Sequence, residues 1–274
     1  MTRPLRPLTT VFAICLAFTL NAANKASAEE RLRLTGSSTV APVMQEITKM
    51  FEDGRDVRTF VETGGSSKGI NDLRKGLSNV AMISRALAES ETELTAHTIA
   101  RDGIAALAHS DVPLDVLSPD QLRAIFTGTV DNWSELGGPD QAVVVISKGE
   151  GSATSVVFNT FLGLTADKIE GDIVAAENAQ MIKTVSVTPG SIGYVSIGAA
   201  IVDIEFGTPI KLLALGDVPA TLENVANGSY QATRPLSLVT MGEMSAGVAD
   251  LIDFSKPAAV SEIITDLSYT PVTP

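Results

Sequence analysis

An α/β fold is what this sequence predicts, on three observations. Short β-rich apolar runs alternate with runs of helical spacing through most of the chain. Three times a strand candidate passes into a helix candidate through a turn of Gly, Ser and Thr. No tandem repeat or low-complexity tract interrupts the alternation. At 274 residues the chain is long enough for one large domain or two modest ones. With 45% hydrophobic and 19% charged residues it can build a packed core, which excludes disorder as its dominant state.

The first stretch is read apart from the fold. Arg3 and Arg6 precede an apolar run at residues 11–20, too short to span a bilayer, and Ala26-Ser27-Ala28 stands before Glu29. This is the pattern of a signal peptide over residues 1–28, and it implies export, most simply to a bacterial periplasm. The single cysteine, Cys15, lies inside the apolar run. The remainder therefore has no disulfide, no cysteine-ligated metal and no thiol catalysis. Loss of Arg3, Arg6 and Lys25 takes the net charge from −12 to −15. A duplex nucleic-acid binder needs a basic footprint, so that class is excluded. Any small-anion site here must act locally, through backbone N–H groups and one or two placed cations.

The three strand–turn–helix units come next. Residues 32–35 read as a strand, Gly36-Ser37-Ser38-Thr39 as a turn, and Val40, Val43, Met44, Ile47, Met50 and Phe51 as a helical stripe ending near Gly54. Residues 59–62 form the second strand, Gly64-Gly65-Ser66-Ser67 its turn, and Ile70, Leu73 and Leu77 its stripe. Residues 143–146 form the third, followed by Gly149-Glu150-Gly151-Ser152-Ala153-Thr154 and the stripe Val156, Val157, Phe158, Phe161 and Leu162. A helix start carries four N–H groups without intrahelical partners and the positive end of the dipole. Glycine allows close approach, and Ser/Thr hydroxyls add uncharged donors. Such turns suit an oxoanion. The commonest use of Ser and Thr there is the helix N-cap, and one turn alone says no more than that. Three turns of one kind point to a convergent site.

Other chemistries fit less well. Gly65-Ser66-Ser67-Lys68-Gly69 matches G-x-S-x-G with Ser67 in the nucleophile position. A hydrolase of that type needs a histidine late in the chain, and the chain has only His97 and His109. No Walker A run exists, and Gly149-Glu150-Gly151 lacks the third glycine of a dinucleotide fingerprint. His97, in the polar stretch 93–101, is predicted at the surface, and His109 at a rim; two separated histidines do not make a metal site. Asp53, Glu89, Glu91 and Glu93 read as solvated. Arg85 follows the buried strand candidate 80–84 and is either half of a structural ion pair or a ligand clamp. Lys148, at the mouth of the third turn, is either a loop lysine paired with Glu150 or a site cation.

Gly36-Ser37-Ser38-Thr39-Val40-Ala41-Pro42, Gly64-Gly65-Ser66-Ser67-Lys68-Gly69-Ile70, Ser84-Arg85 and Gly151-Ser152-Ala153-Thr154, taken in order, resemble the periplasmic phosphate-binding proteins of ABC uptake systems. Leu122-Arg123-Ala124-Ile125-Phe126-Thr127-Gly128 with Asn132-Trp133, and Pro189-Gly190-Ser191-Ile192-Gly193-Tyr194-Val195, extend the resemblance over essentially the whole chain after residue 28. The resemblance implies a two-lobed α/β fold of the type II periplasmic-binding class, with a ligand cleft between lobes and two crossover segments. It implies one lobe at 29–108 plus 236–274 and the other at 109–235. The first crossing follows residues 104–108, and the return falls near 235–239. Trp133 is expected to pack rather than bind.

Carried over position by position, Thr39 supplies a hydroxyl, Val40 an N–H, Ser66 a contact from the second turn, and Ser152, Ala153 and Thr154 hydroxyls and N–H groups from the third. Ser38 and Ser67 are neighbours. Arg85 stands where many members have an Asp, Lys148 where many have an Arg, and Ala153 where Gly is usual. The resemblance then makes Arg85 the bidentate clamp, with Lys148 a lesser point charge. The obvious acceptor for a phosphate proton is missing. The implied partners are inorganic phosphate and an inner-membrane ABC permease. The implied protein has no cofactor, no bound metal, no catalysis and no membrane span after the leader. The alternatives are a receptor for sulfate, molybdate or tungstate, or a secreted signalling or interaction module of the same fold.

Overall fold

The computed structural model describes residues 29–149 and 151–272; the leader assigned to 1–28, Cys15 and Glu150 lie outside the described residues. The chain opens with β1 (Glu30–Gly36), α1 (Ala41–Glu52), β2 (Val57–Thr63), α2 (Ser66–Arg74) and β3 (Val80–Ile83). These are parallel β–α–β crossovers, with β1 between β2 and β3. In α1 the expected stripe is buried through Val43, Met44, Ile47 and Phe51, while Met50 faces out. Leu77, expected on the second stripe, falls beyond the end of α2 and is exposed. Gly69 is required by close approach: a Cβ there would lie 2.5 Å from the Thr35 carbonyl oxygen, so α2 sits directly on β1.

β4 (Leu94–His109) is a 16-residue strand, and it corrects the reading of 93–101 as a polar surface stretch. Thr95, Ala96 and Thr98 face out, but Ile99 and Ala100 are buried and His97 is half-buried. Then follow β5 (Val116–Leu117), α3 (Pro119–Phe126), β6 (Val144–Ser147), α4 (Ala153–Leu162), β7 (Ile173–Val174), α5 (Asn178–Ser186), β8 (Ser191–Ser196), α6 (Ile197–Glu205) and β9 (Ile210–Leu215). The chain ends with α7 (Leu222–Ala226), β10 (Thr233–Met241), α8 (Ala246–Phe254), α9 (Pro257–Asp266) and β11 (Thr270–Pro271). The strand order is β2-β1-β3-β10-β4-β8-β6-β7, with β5, β9 and β11 off this path.

Two large cores lie on this framework. One is built by Leu32, Leu34, Met44, Ile47, Met82, Leu238 and Leu251 among others. The other is built by Leu122, Phe126, Trp133, Phe158, Tyr194 and Leu213 among others. Phe158 and Tyr194 stack at 4.3 Å, and Phe126 meets Phe158 edge-on at 5.0 Å. Trp133 is fully buried and donates Nε1–H to the Gly190 carbonyl at 2.9 Å, a packing role as expected.

β4 and β10 run antiparallel and serve both cores. β4 gives Ile99 and Ala100 to the first core, and Ile104, Ala105, Ala106 and Ala108 to the second. The run 104–108 was expected to close the first lobe; four of its residues pack in the second core, and Leu107 packs with Ile146, Met181 and Val195. A strand covered on both faces reads as continuously apolar whichever core covers it, so the sequence pattern could not assign it. Around the start of β10, Tyr230 and Ala232 belong to the second core, and Leu236 and Leu238 to the first. Among the described residues no helix is long and apolar enough to cross a membrane.

Candidate functional site

A small polar cavity of about 20 Å³ lies where elements of the two cores meet. Ser37, Ser38, Thr39, Gly65, Ser66 and Ser84 line it from the first. Lys148, Ser152, Ala153, Thr154, Ala176 and Glu177 line it from the second. Seven of the ten residues picked from sequence are thus brought together: Ser38, Thr39, Ser66, Lys148, Ser152, Ala153 and Thr154. The starts of α1, α2 and α4 all bring residues to this point, and each contributes a positive dipole end.

Local structure explains the arrangement. Ser37 Oγ accepts from the N–H of Thr39 at 3.1 Å and of Val40 at 3.4 Å, fixing the turn into α1. Gly65, the residue before α2, has φ +86° and donates its N–H to the Gly36 carbonyl at 3.0 Å. Ser66 is buried, and its Oγ accepts from the Ser84 N–H at 3.1 Å. Ser152 caps α4, accepting from the Ser155 N–H at 3.3 Å. Ser155 Oγ and Tyr194 Oη are 3.0 Å apart, and Tyr194 Oη accepts from the Lys148 N–H at 3.1 Å. Burial pushes the Tyr194 phenol up, so it stays protonated there.

Three expected residues do not line the cavity. Val40 is fully buried in the first core, and its N–H is directed to Ser37. Ser67 faces Gly151 instead: a Cβ on that glycine would lie 3.3 Å from Ser67 Cβ. Arg85 is no clamp on the cavity. Its two terminal nitrogens donate to the two carboxylate oxygens of Glu91, each at 2.8 Å, and one also donates to the Ala86 carbonyl at 2.8 Å. Glu91, read as solvated, is buried and accepts the Ala88 N–H at 2.7 Å as well. The Arg85 hydrogen bond, against the cost of burial, holds the Glu91 carboxyl below the usual carboxylate range. The bend after β3 brings position 91 back onto position 85, and a charge count along the chain does not show that bend.

Lys148 is the cation among the described lining residues, and a second one, which sequence reasoning missed, lies behind the wall. Lys148 is buried, with Nζ donating to Asn178 Oδ1 at 3.2 Å. Burial first, and the Arg234 charge second, pull its ammonium down to about 7, with Glu177 opposing. Arg234, on β10, is 2% exposed. Its Nε and NH2 donate to Asp102 Oδ2 on β4 at 3.0 and 2.8 Å. NH1 donates to Ser84 Oγ at 3.2 Å and to Thr154 Oγ1 at 2.9 Å; NH2 also donates to Thr39 Oγ1 at 2.9 Å. Thr39 and Ser84 belong to one side of the cavity and Thr154 to the other, so one guanidinium ties both walls to the strands beneath. Its signal in the sequence was an Asp and an Arg, each just ahead of an apolar strand run. Opposite charges in such places are buried only as partners. Asn178 and Glu177, at the start of α5, were also missed.

Both histidines are engaged elsewhere, His97 Nε2 with Thr240 Oγ1 at 3.0 Å and His109 Nδ1 with Asp111 Oδ1 at 2.6 Å. Among the described residues no group of three or more His, Cys, Asp or Glu could hold a metal ion. A wider hollow of about 760 Å³ adjoins at Lys148 and Ser152, with Val156, Leu164 and Ile169 in its mostly apolar wall. Val156 had been placed on the buried stripe of the third helix, but it is exposed at this wall. Only the smaller cavity has donors converging from both cores.

Comparison with known proteins agrees with this geometry. A family model described as a PBP superfamily domain matches residues 21–256. The phosphate-binding protein PstS of Bacillus subtilis (strain 168) is 29% identical over 260 residues, covering 92% of this chain and 84% of that protein. The PstS of Borreliella burgdorferi is 25% identical over 273 residues, covering 94% and 96%. Among solved structures, a phosphate ABC transporter substrate-binding protein with bound phosphate from Clostridium perfringens superposes with a TM-score of 0.82 at 30% identity, over 89% of this chain and 100% of that one. An ABC-type phosphate transport receptor from Vibrio cholerae gives 0.72 at 27%, over 89% and 100%.

Proposed function

The chain belongs to the PBP superfamily, and from that premise we propose that it is an exported receptor that captures inorganic phosphate in the cavity between its two cores and delivers it to an ABC-transporter permease. The observation that carries this reading is the cavity itself. Hydroxyls and helix starts from both cores converge there with the buried Lys148, and Arg234 stands behind them, bonded to the Thr39 and Thr154 hydroxyls. Relatives that bind phosphate match over most of both chains, which supports the choice of ligand.

The mechanism follows from the residues. Phosphate enters between the walls and meets the hydroxyls of Thr39, Ser66, Ser152 and Thr154, the starts of α1, α2 and α4, and the Lys148 ammonium. Charge-assisted hydrogen bonds contribute about 1.5–3 kcal/mol each. Several of them, less association and ordering costs, give micromolar or tighter binding. The exported chain's net charge of −15, that is −12 less the three cations of the leader, opposes capture at long range, but salt screens charges beyond about 10 Å while the cavity donors act at contact. The reading is one of binding and release, with no bond chemistry assigned to Ser67.

We place the two lobes on the two cores, passing at Asp102–Gly103 on β4 and between Ala232 and Leu236 on β10, in place of the expected limit at 108. Closure of these lobes about the ligand is hinge motion, the mode of periplasmic binding proteins generally. Export rests on the leader pattern at 1–28, and delivery to a permease on the family.

Calorimetric titration of the purified chain from residue 29 tests the reading. Phosphate is expected to bind at micromolar or lower Kd; no heat and no rise in melting temperature at millimolar phosphate would sink it. A second reading, a receptor for sulfate or another tetrahedral oxoanion, draws on a wall in which Glu177 is the one carboxylate among the described lining residues. Sulfate displacing phosphate at equal concentration would favour it.

A further inference from the structure

Arg234 has no hydrogen bond to spare. A guanidinium carries five N–H groups. Two go to Asp102 Oδ2, and one each to Thr39 Oγ1, Ser84 Oγ and Thr154 Oγ1. The receiving hydroxyls are constrained in turn, since each has two acceptor positions and one O–H. Thr39 Oγ1 accepts from Arg234 and from Asn178 Nδ2, both at 2.9 Å. Ser84 Oγ accepts from Arg234 at 3.2 Å and from Ser37 Oγ at 2.9 Å. Ser37 is held to that donation, because its own acceptor positions take the N–H groups of Thr39 and Val40. Thr39 and Ser84 therefore have both acceptor positions filled, and only donation is left to them. Thr154 has one position filled by the same guanidinium.

We propose that Arg234 is a positioning residue of the anion site: it gives no hydrogen bond to the ligand, with Asn178 and Ser37 it fixes the hydroxyls of Thr39 and Ser84 as donors, and it holds the Thr154 hydroxyl in place. This rests on the reading of the cavity as an oxoanion site. The cation polarises each O–H it contacts and strengthens its donation. The wall so formed takes bare, unprotonated oxygens. A P–O–H group placed there would set donor against donor, so a ligand proton is turned to the opposite wall. With Asp102 neutralising Arg234, the residue's contribution is the direction of these donors rather than net charge.

A pair of double-variant cycles tests this. Phosphate and sulfate are titrated into the full exported chain, Thr39→Val, Asn178→Ala, Arg234→Lys, and the Thr39→Val combinations with each of the other two. Thr39→Val is expected to weaken phosphate binding about 30-fold, the loss of one charge-assisted donor. Arg234→Lys, with three N–H groups in place of five for four acceptor atoms, is expected to weaken it by at least as much. Each double variant should lose clearly less than the product of its single losses, because Arg234 and Asn178 act through Thr39. Asn178→Ala should also lower the preference for sulfate over phosphate at pH 6, since Thr39 regains an open acceptor position for a phosphate proton. A change of mere packing would not move that ratio. Losses that multiply, with an unchanged ratio, overturn the proposal. Should Arg234→Lys fail to fold, the Asn178 cycle decides alone, since Asn178 stands outside the buried ion pair. A wild-type chain that binds neither anion removes the underlying reading instead, and so separates the two failures.

Discussion

Two arginines at strand ends meet carboxylates in this molecule, and their fates differ. Arg85 pairs with Glu91, six residues away, and every partner it has lies within that span. Arg234 pairs with Asp102, 132 residues away, and its remaining N–H groups reach the Thr39 and Ser84 loops and the first turn of α4. The Arg85 side chain keeps 16% exposure; that of Arg234 keeps none. Proximity to a motif made Arg85 conspicuous, yet what a cation spans decides its work. A local pair stiffens one bend. A pair between the two strands that serve both cores, crowned by hydroxyls of both walls, organises a site.

Substitutions separate the two cases, and the largest effect belongs to Arg234→Met. It leaves a buried carboxylate without a partner, which costs about 3–5 kcal/mol of stability, and phosphate-dependent melting shifts should vanish with it. If that variant melts like the wild type, the comparison collapses. Next comes Lys148→Met, which removes a buried cation lining the cavity; a loss of about 2 kcal/mol in phosphate affinity is expected by calorimetry. Unchanged affinity would remove Lys148 from the site.

A pH effect sharpens the same point. With its ammonium at about 7, Lys148 in the empty protein has largely lost its proton at pH 8–9, where an unfolded lysine near 10.5 still holds one. Stability of the empty protein from this residue therefore rises as pH climbs from 7 to 10. A bound anion restores the proton, so phosphate affinity falls over the same window and binding takes up a proton. Calorimetry at pH 8 in two buffers of different ionisation enthalpy measures that uptake; Lys148→Arg should abolish it. The smallest effect on binding belongs to Arg85→Ala. A bidentate clamp on the ligand, as the resemblance implied, would lose at least about 2 kcal/mol of binding there. The geometry predicts phosphate affinity within about threefold of wild type, a lower melting temperature, and about 1–3 kcal/mol lost as Glu91 is stranded.

Legibility in the sequence followed distance along the chain. The strand–turn–helix units, with Thr39, Ser66, Ser152 and Thr154, are local patterns of periodicity and capping, and they were readable. So was the packing role of Trp133, which the resemblance implied within the otherwise polar stretch 131–135. Asp102 with Arg234 needed topology, because only the pairing of β4 with β10 brings them together. The resemblance carried the Val40 N–H over to the ligand, and here the Ser37 hydroxyl accepts it, a contact that no local pattern announces. Glu91 passed for surface among Glu89 and Glu93 because a run of acids hides the one that turns inward.

The ladder between β10 and β4 changes register between Leu236 and Ser237, two residues past Arg234. An interrupted ladder resists torsion less than a regular one. If the lobes open about this break, the pivot lies beside the guanidinium and the hydroxyls it holds, so the donors nearest Arg234 travel least while the outer rims of the lobes travel most. Substitutions at the pivot would be felt first as altered opening speed, and an evolving receptor could retune its release rate there without redrawing either jaw.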